Sequence, residues 1–274
     1  MLARWLPGGS LVSLFSVIIP TYSRPVFLQE AIDSVLAQTT SDYEIIVVDD
    51  ASPEPVVVPE HSRIRVVRAE VNGGSARARN IGVEAATGDV VAFLDDDDTW
   101  TPQRLSFALA ALERAPVAVC WQSATGGRML DGNVHDTILD SITPNFGATA
   151  VLRSAWVPID ESFRSCQDLT WWLSISRHNS VATHPEQGLE IRRHAAPRVG
   201  YGTEQRIRDS LRLMDEQAGY FRSHPYAASF RWKRIGLMNL ALGRPEEARK
   251  AFRRAFRLHP TAVDAWHYLR SFRG

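Results

Sequence analysis

At 274 residues, 45% apolar and 23% charged, the chain holds enough material for one sizeable globular core and a small second unit. Its 31 basic and 31 acidic side chains cancel to a formal charge of zero, which removes any global electrostatic case for nucleic acid or an anionic membrane as partner. Two cysteines, Cys120 and Cys166, make neither a disulfide framework nor a zinc site, and no run reaches the roughly 18 apolar residues of a membrane span.

Residues 1–14 carry Pro7-Gly8-Gly9 and no apolar centre of a signal peptide, and read as a loose extension. Phe15–Pro20 is a β-rich run, followed by the loop Thr21–Arg24. Pro25 suits a first helical turn, and Phe27, Leu28, Ala31, Ile32, Val35 and Leu36 recur at helical spacing. Tyr43–Val48 is a second strand, ending on Asp49-Asp50. A proline-rich loop and a short strand, Ile64–Val67, come next. Asn72-Gly73-Gly74-Ser75 then signals a turn and a helix start, with the helix over 76–86. Val90–Leu94 is a strand buried on both faces, and it runs into Asp95-Asp96-Asp97-Asp98.

Strands alternating with helices imply right-handed βαβ units and a doubly wound, mostly parallel sheet with helices on both faces. In such sheets ligands sit beyond the carboxyl ends of the strands. Tyr22, Asp50 and Asp97 are therefore expected to converge. Four adjacent acids raise one another's pKa unless a cation or donor sits among them. They read either as a solvated acidic turn or as hard oxygen ligands for Mg²⁺ or Mn²⁺.

The spacing further predicts a helix over 102–115, a strand at 117–121, a patternless stretch over 122–146 and a strand at 147–152. A helix opens at Ser165-Cys166-Gln167-Asp168, where Asp168 reads either as an N-cap or as a functional acid at a helix N-terminus. A last strand is expected over Gly188–His194, with Arg192, Arg193 and His194 at its end. From Glu204 the pattern is helical. Trp232, Gly236, Ala248, Phe252, Ala255 and Pro260 fit a 34-residue frame beginning at Ser229 and resemble a tetratricopeptide repeat, with Trp266 and Leu269 opening the next frame.

Ser16-Val-Ile-Ile-Pro-Thr-Tyr22, Glu44-Ile-Ile-Val-Val-Asp-Asp-Ala-Ser52, Ala76-Arg-Ala-Arg-Asn-Ile-Gly82 and Phe93-Leu-Asp-Asp-Asp-Asp-Thr-Trp100, in this order, resemble family 2 glycosyltransferases of the GT-A fold over residues 15–195. The resemblance implies an inverting transfer of sugar from a nucleotide-sugar, UDP-linked by preference, to an acceptor hydroxyl in surface polysaccharide or glycoconjugate synthesis. It implies that Pro20, Thr21 and Tyr22 line the nucleotide and that Asp50 accepts from the uracil N3–H. Gly74 and Arg77 stand near the nucleotide, and Asp95 meets the ribose. Asp97 holds the metal, Mn²⁺ or Mg²⁺. Asp96 is grouped with the nucleotide-sugar contacts, and either Asp96 or Asp98 assists the metal, the two unranked. The family's catalytic acid follows a glutamate at the start of a later helix; here that pair is Gln167-Asp168, so Asp168 is the expected base and Gln167 a departure. Trp171 and Trp172 follow, one expected in the core and the other beneath the acceptor sugar. His194 is placed either against the diphosphate or as a structural residue.

The domains expected are an extension over 1–14, a transferase domain over 15–200, and a helical tail over 201–274, repeat-like from about 229. The tail is an expected contact for a protein partner or a second copy. The expected acceptor is a sugar, a lipid-linked sugar or a glycoconjugate, in the cytoplasm with peripheral contact at the inner face of the membrane. Two rivals stand beside this reading. Asp95-x-Asp97-x-Thr99 after an apolar strand also fits a haloacid dehalogenase-type phosphatase, but that pattern needs a later lysine, and the only lysines are Lys233 and Lys250 in the tail. The other rival is a non-catalytic adaptor that retains the fold, for which Gln167 is the one mark.

Overall fold

The structure, a computed structural model, describes residues 14–121, 129–192 and 204–260. The chain divides into two compact units: Met1–His135, Thr143–Glu161 and Trp171–His194 form one, and Asp136–Ile142, Ser162–Thr170 and Ala195–Gly274 form the other.

The first unit is built on a seven-stranded sheet of order β3-β2-β1-β4-β7-β6-β8. Its centre is β1 (Phe15–Thr21), every residue of which is buried. β1 pairs in parallel with β2 (Tyr43–Asp49) on one side and β4 (Val90–Phe93) on the other, in a register that sets Thr21 opposite Asp49 and Ile18 opposite Phe93. The carboxyl ends of the three strands therefore open on one edge, as the alternating pattern requires. β3 (Ile64–Arg68) extends the parallel set. Helix α1 (Pro25–Leu36) buries Leu28, Ala31, Ile32 and Val35, the stripe foreseen from its periodicity. Helix α2 (Ser75–Ala85) approaches the sheet so closely at Gly82 that a side chain there would run into Ile18 and Val48. β5 (Thr99–Trp100) and helix α3 (Arg104–Leu112) follow the acids, then β6 (Val117–Trp121).

The far half of the sheet departs from the reading of the sequence. β7 (Thr149–Leu152) is antiparallel to both β4 and β6. The last strand of the sheet is not at 188–194. It is β8 (Val181–Gln187), and only the two-residue β9 (Leu189–Glu190), paired with β5, falls in the expected stretch. Pro185 hid β8, because proline breaks the ladder of a central strand. β8 is an edge strand, and its pairing with β6 shifts register between Cys120 and Trp121, opposite the stretch that contains Pro185. Arg193 and His194 lie outside the described residues, as do Trp266 and Leu269.

Glu44 ties this unit together. Its carboxylate accepts from Ser16 Oγ at 2.6 Å, from the N–H and Oγ1 of Thr87 at 2.8 and 2.7 Å, and from Arg65 Nε at 3.1 Å. Burial alone would raise its pKa, but the hydrogen bonds from Ser16, Thr87 and Arg65 together outweigh it and bring the group from 4.5 down to about 2. A pKa lower in the folded than in the unfolded chain stabilises the fold above the unfolded value, and that stability is lost as pH falls through the folded value. Glu44→Gln is expected to cost about 2 kcal/mol at pH 7, allowing for solvent screening. In urea titrations the gap between the two proteins should close between pH 4.5 and pH 2.

The second unit carries α5 (Glu204–Glu216), α6 (Ala218–Ser223), α7 (Pro225–Ala241) and α8 (Pro245–Leu258). The repeat-like residues serve packing. A Cβ at Gly236 would lie 2.5 Å from the Phe252 ring, so the glycine sets how closely α7 and α8 approach. Ser229 Oγ donates to the Ala255 carbonyl at 2.9 Å. Ile207, Ile235, Met238 and Ala251 form a small core, against which Met214, Trp232 and Leu242 pack.

Candidate active site

Three strand ends deliver the acids. At the end of β2 the two aspartates divide the work. Asp49 is fully buried; it pairs with Arg68 and accepts from the Ser52 N–H at 2.9 Å, closing the loop. Asp50 turns the other way. Its two oxygens accept from the N–H groups of Gly73 and Gly74 at 2.8 and 2.7 Å, and its own N–H reaches the Thr21 carbonyl at 3.0 Å. Asp50 thereby joins the end of β1 to the start of α2. Gly74, at a φ of 84°, adopts a conformation that glycine enters without strain. A side chain at Gly73 would collide with Arg77, which lies across it.

β4 ends at Phe93, and Leu94 still bonds back to the Ile18 carbonyl at 3.0 Å before the acids turn. The four carboxylates then separate by partner. Asp95 pairs with Arg79. Asp96 accepts from Thr21 Oγ1 at 2.8 Å and Arg24 Nη1 at 3.1 Å, and the same Arg24 nitrogen lies 3.1 Å from Asp97. Asp98 accepts the Arg192 backbone N–H at 3.1 Å. Burial pushes the Asp96 carboxyl up to about 6; Thr21 and Arg24 oppose that shift, while Asp97 and Asp95 add to it.

Asp95, Asp97 and Asp98 can each turn one oxygen to a common point, these atoms lying within 4.8 Å of one another. A hard, all-oxygen set of this kind suits Mg²⁺ or Mn²⁺. Asp98 stands in that group and Asp96 outside it.

Two arginines complete the site without having been singled out. Arg24 follows β1 and bridges Asp96 and Asp97. Arg79 is 5% exposed, donates to the Ser75 carbonyl at 3.3 Å and stacks over the Phe146 ring at 4.5 Å. A signal for Arg79 was present: it falls three residues after Ala76 and four before Val83, within the buried stripe of α2, whereas Arg77 lies outside it.

Pro20 and Thr21 stand at the buried end of β1, and Tyr22, 46% exposed, is the open residue there. Arg192 turns its guanidinium to Glu30 and over the Phe27 ring at 5.4 Å. The expectation for Trp171 and Trp172 is corrected. Both are 1% exposed, with indole N–H groups donating to the carbonyls of Val157 at 2.9 Å and Pro144 at 2.8 Å. Adjacent residues on a helix diverge by about 100°, yet both indoles are buried: Trp171 packs against Phe146 and Trp156, and Trp172 against Trp171, so neither offers a face to a sugar.

Asp168 belongs to the second unit. Helix α4 (Gln167–Ile175) begins one residue before it, so Asp168 is in the first turn and is not the N-cap. Gln167 donates from its amide to the Phe163 carbonyl at 2.8 Å. A glutamate has no N–H for that bond, which gives the departure at this position a structural reason.

Residues 16–160 match the family model for glycosyl transferase family 2. The chain belongs to that family. Residues 231–269 match the tetratricopeptide repeat model. The succinoglycan biosynthesis protein ExoW of Rhizobium meliloti is 42% identical over 122 residues, which cover 41% of this chain and 38% of that protein. The putative teichuronic acid biosynthesis glycosyltransferase TuaG of Bacillus subtilis is 32% identical over 203 residues, covering 66% of this chain and 77% of TuaG. The chain thus spans well under half the length of ExoW, and 36% and 32% of the uncharacterized glycosyltransferases of Haemophilus influenzae and Rickettsia felis that it also matches.

Among solved structures, the mannosyltransferase PcManGT from Pyrobaculum calidifontis in complex with GDP-Man and Mn²⁺ aligns with a TM-score of 0.59 at 19% identity, over 100% of this chain and 83% of that one. S. aureus TarS 1-349 in complex with UDP aligns with a TM-score of 0.58 at 16% identity, over 95% and 89%. At such identities the likeness is one of fold, and the fold is GT-A. The family match sets aside the phosphatase reading. Among the described residues, no helix is long and apolar enough to cross a membrane.

Proposed function

We propose that the chain transfers a sugar from a nucleotide-sugar to an acceptor hydroxyl, with inversion and with the help of a divalent cation, in the synthesis of a surface polysaccharide or glycoconjugate. One observation carries the reading: Thr21, Asp50 and the Asp95–Asp98 group meet on one edge of the sheet, inside the family-matched residues. Asp50 spends two acceptor positions on Gly73 and Gly74 and, as a carboxylate, has about two more for the N3–H of uracil. UDP is favoured over other nucleotides by the family resemblance; among the fold relatives, TarS is described with UDP and PcManGT with GDP-Man. Tyr22 is the open surface for the base, and Arg77 stands beside the glycines. Asp97, with Asp95 and Asp98, would hold Mn²⁺ or Mg²⁺. A cation there offsets charge on the departing diphosphate.

In this reading Asp168 takes the proton of the attacking acceptor hydroxyl. Its support is the resemblance together with its place in the first turn of α4. The site's own cations also have work to do. Arg24 is paired with Asp96 and Asp97, and Arg79 with Asp95, so both orient carboxylates of the site.

The test is calorimetric titration with UDP, GDP, dTDP and CMP, each with and without Mn²⁺, followed by release of UDP from UDP-glucose and UDP-N-acetylglucosamine. Mn²⁺-dependent binding of UDP alone supports the assignment. Binding of another nucleotide in its place moves the donor class, and binding of none leaves the adaptor reading standing.

A further inference from the structure

Asp209, on α5 in the helical tail, is a carboxylate only 4% exposed that no step of the transfer uses. Its Oδ2 accepts from the Ser165 N–H at 2.7 Å and from Ser165 Oγ at 2.9 Å, and its Oδ1 accepts from Gln205 Nε2 at 2.8 Å. Its neighbours on α5 grip the same stretch. Arg212 donates to the carbonyl and the Oγ of Ser162 at 3.2 and 2.9 Å and lies over the Phe163 ring at 4.1 Å. Ser210 Oγ is 3.4 Å from Cys166 Sγ. Three residues of one helix thus hold Ser162, Phe163, Ser165 and Cys166, and the next residues but one reach Asp168. All of these lie in the second unit.

The backbone at this point needs holding. Cys166 has a φ of 61°, a left-handed conformation that a side-chain-bearing residue keeps only when its surroundings fix it. It is the residue immediately before α4, so its conformation sets the direction in which the first turn, and with it Asp168, leaves the loop. A charged acceptor that takes both the N–H and the hydroxyl of the preceding Ser165 fixes that residue more firmly than a neutral one.

Helix α7 holds the other segment that the second unit takes from the middle of the chain. Arg231, 5% exposed, donates to the carbonyls of Leu139 and Ser141. Burial pushes its pKa down to about 10, with Arg234 acting in the same direction, while Asp168, Cys166 and Tyr220 are the charges that hold it up.

We propose that Asp209 is a positioning residue for the transfer: by fixing Ser165 ahead of the left-handed Cys166, it sets the first turn of α4 and so the carboxylate of Asp168. The proposal rests on the reading of Asp168 as the base. It also assigns the helical tail a task within the enzyme itself.

The experiment compares the full chain with Asp209→Asn, Ser165→Ala and, as a control on the exposed side of α5, Asp215→Ala. Amide exchange over 162–170 is read alongside kcat and KM for UDP release from UDP-glucose or UDP-N-acetylglucosamine, and the affinity for UDP with Mn²⁺. Asp209→Asn is expected to speed exchange in that stretch at least about tenfold and to lower kcat about 10- to 100-fold, with KM and UDP affinity within about twofold. Ser165→Ala, which removes only the hydroxyl bond, should show the same pattern at about 3- to 10-fold, and Asp215→Ala should match the wild type. Unchanged exchange in Asp209→Asn, or faster exchange with kcat unaltered, overturns the proposal. If Asp209→Asn does not fold, Ser165→Ala decides by the same two criteria. A wild type that binds none of UDP, GDP, dTDP and CMP overturns the base reading, while the exchange data still show whether Asp209 holds the segment; one that binds another of the four has its turnover read with that nucleotide's sugar.

Discussion

Replacing Asp97 with alanine is expected to lower the rate of UDP release from a UDP-sugar about a thousandfold and to remove the Mn²⁺-dependent part of UDP binding. The expectation follows from the way the four acids divide. Asp96 is turned to Thr21 and Arg24, which leaves Asp95, Asp97 and Asp98 as the set that can share a cation. Each of these also has a protein partner, Asp95 in Arg79, Asp97 in Arg24 and Asp98 in the Arg192 N–H, and removing Asp97 takes away the middle of the group. The fold should survive. Arg24 keeps Asp96 as a partner at 3.1 Å, and the loss of one negative charge relieves the pressure on Asp96. Far-UV circular dichroism and the thermal midpoint should therefore stay close to wild type while calorimetry loses the metal-dependent heat. An Asp97→Ala protein that binds UDP with Mn²⁺ like the wild type sinks the metal assignment.

The first half of the sheet was legible because its strands are buried on both faces. Ile18, Val47 and Phe93 sit in unbroken apolar runs, and such runs followed by acids mark the carboxyl edge of a parallel sheet. The second half was harder to read for physical reasons. β8 is an edge strand, carries Pro185 and is half exposed, so it lacks the pattern of the central strands. β7 runs against its neighbours, and nothing local in Thr149–Leu152 encodes direction.

The site divides in the same way. Asp50 and Asp97 were visible because carboxylates at strand ends are conspicuous. Arg24 and Arg79 were not, since an arginine's role depends on what lies across from it: Asp96 is 72 positions away from Arg24 in the chain. Trp171 and Trp172 show the converse. An aromatic pair after an expected catalytic acid invites a sugar-binding reading, but the rings against Trp171, Phe146 and Trp156, stand 25 and 15 positions earlier in the chain, where no local pattern links them to it. Asp209 was invisible for the same reason as the arginines, since it stands 44 positions from Ser165 in the chain.

Asp168→Asn is expected to lower kcat for UDP release by about 10²- to 10⁴-fold, the range for removal of a general base, while leaving UDP and Mn²⁺ affinity within about twofold. The substitution separates chemistry from structure. Asp168 lies within the first turn of α4 and does not cap it, so what asparagine removes there is a charge near the helix N-terminus, worth about 0.3–1 kcal/mol. That is too little to unfold the unit or to account for a loss of several hundredfold, and the side chain keeps its size and an acceptor oxygen. Asp168→Asn with wild-type kcat would show that the residue only stabilises the helix, and would return the choice of base to another acid. Loss of kcat together with an equal loss of UDP affinity would point to disturbance of the nucleotide site, not to a missing base.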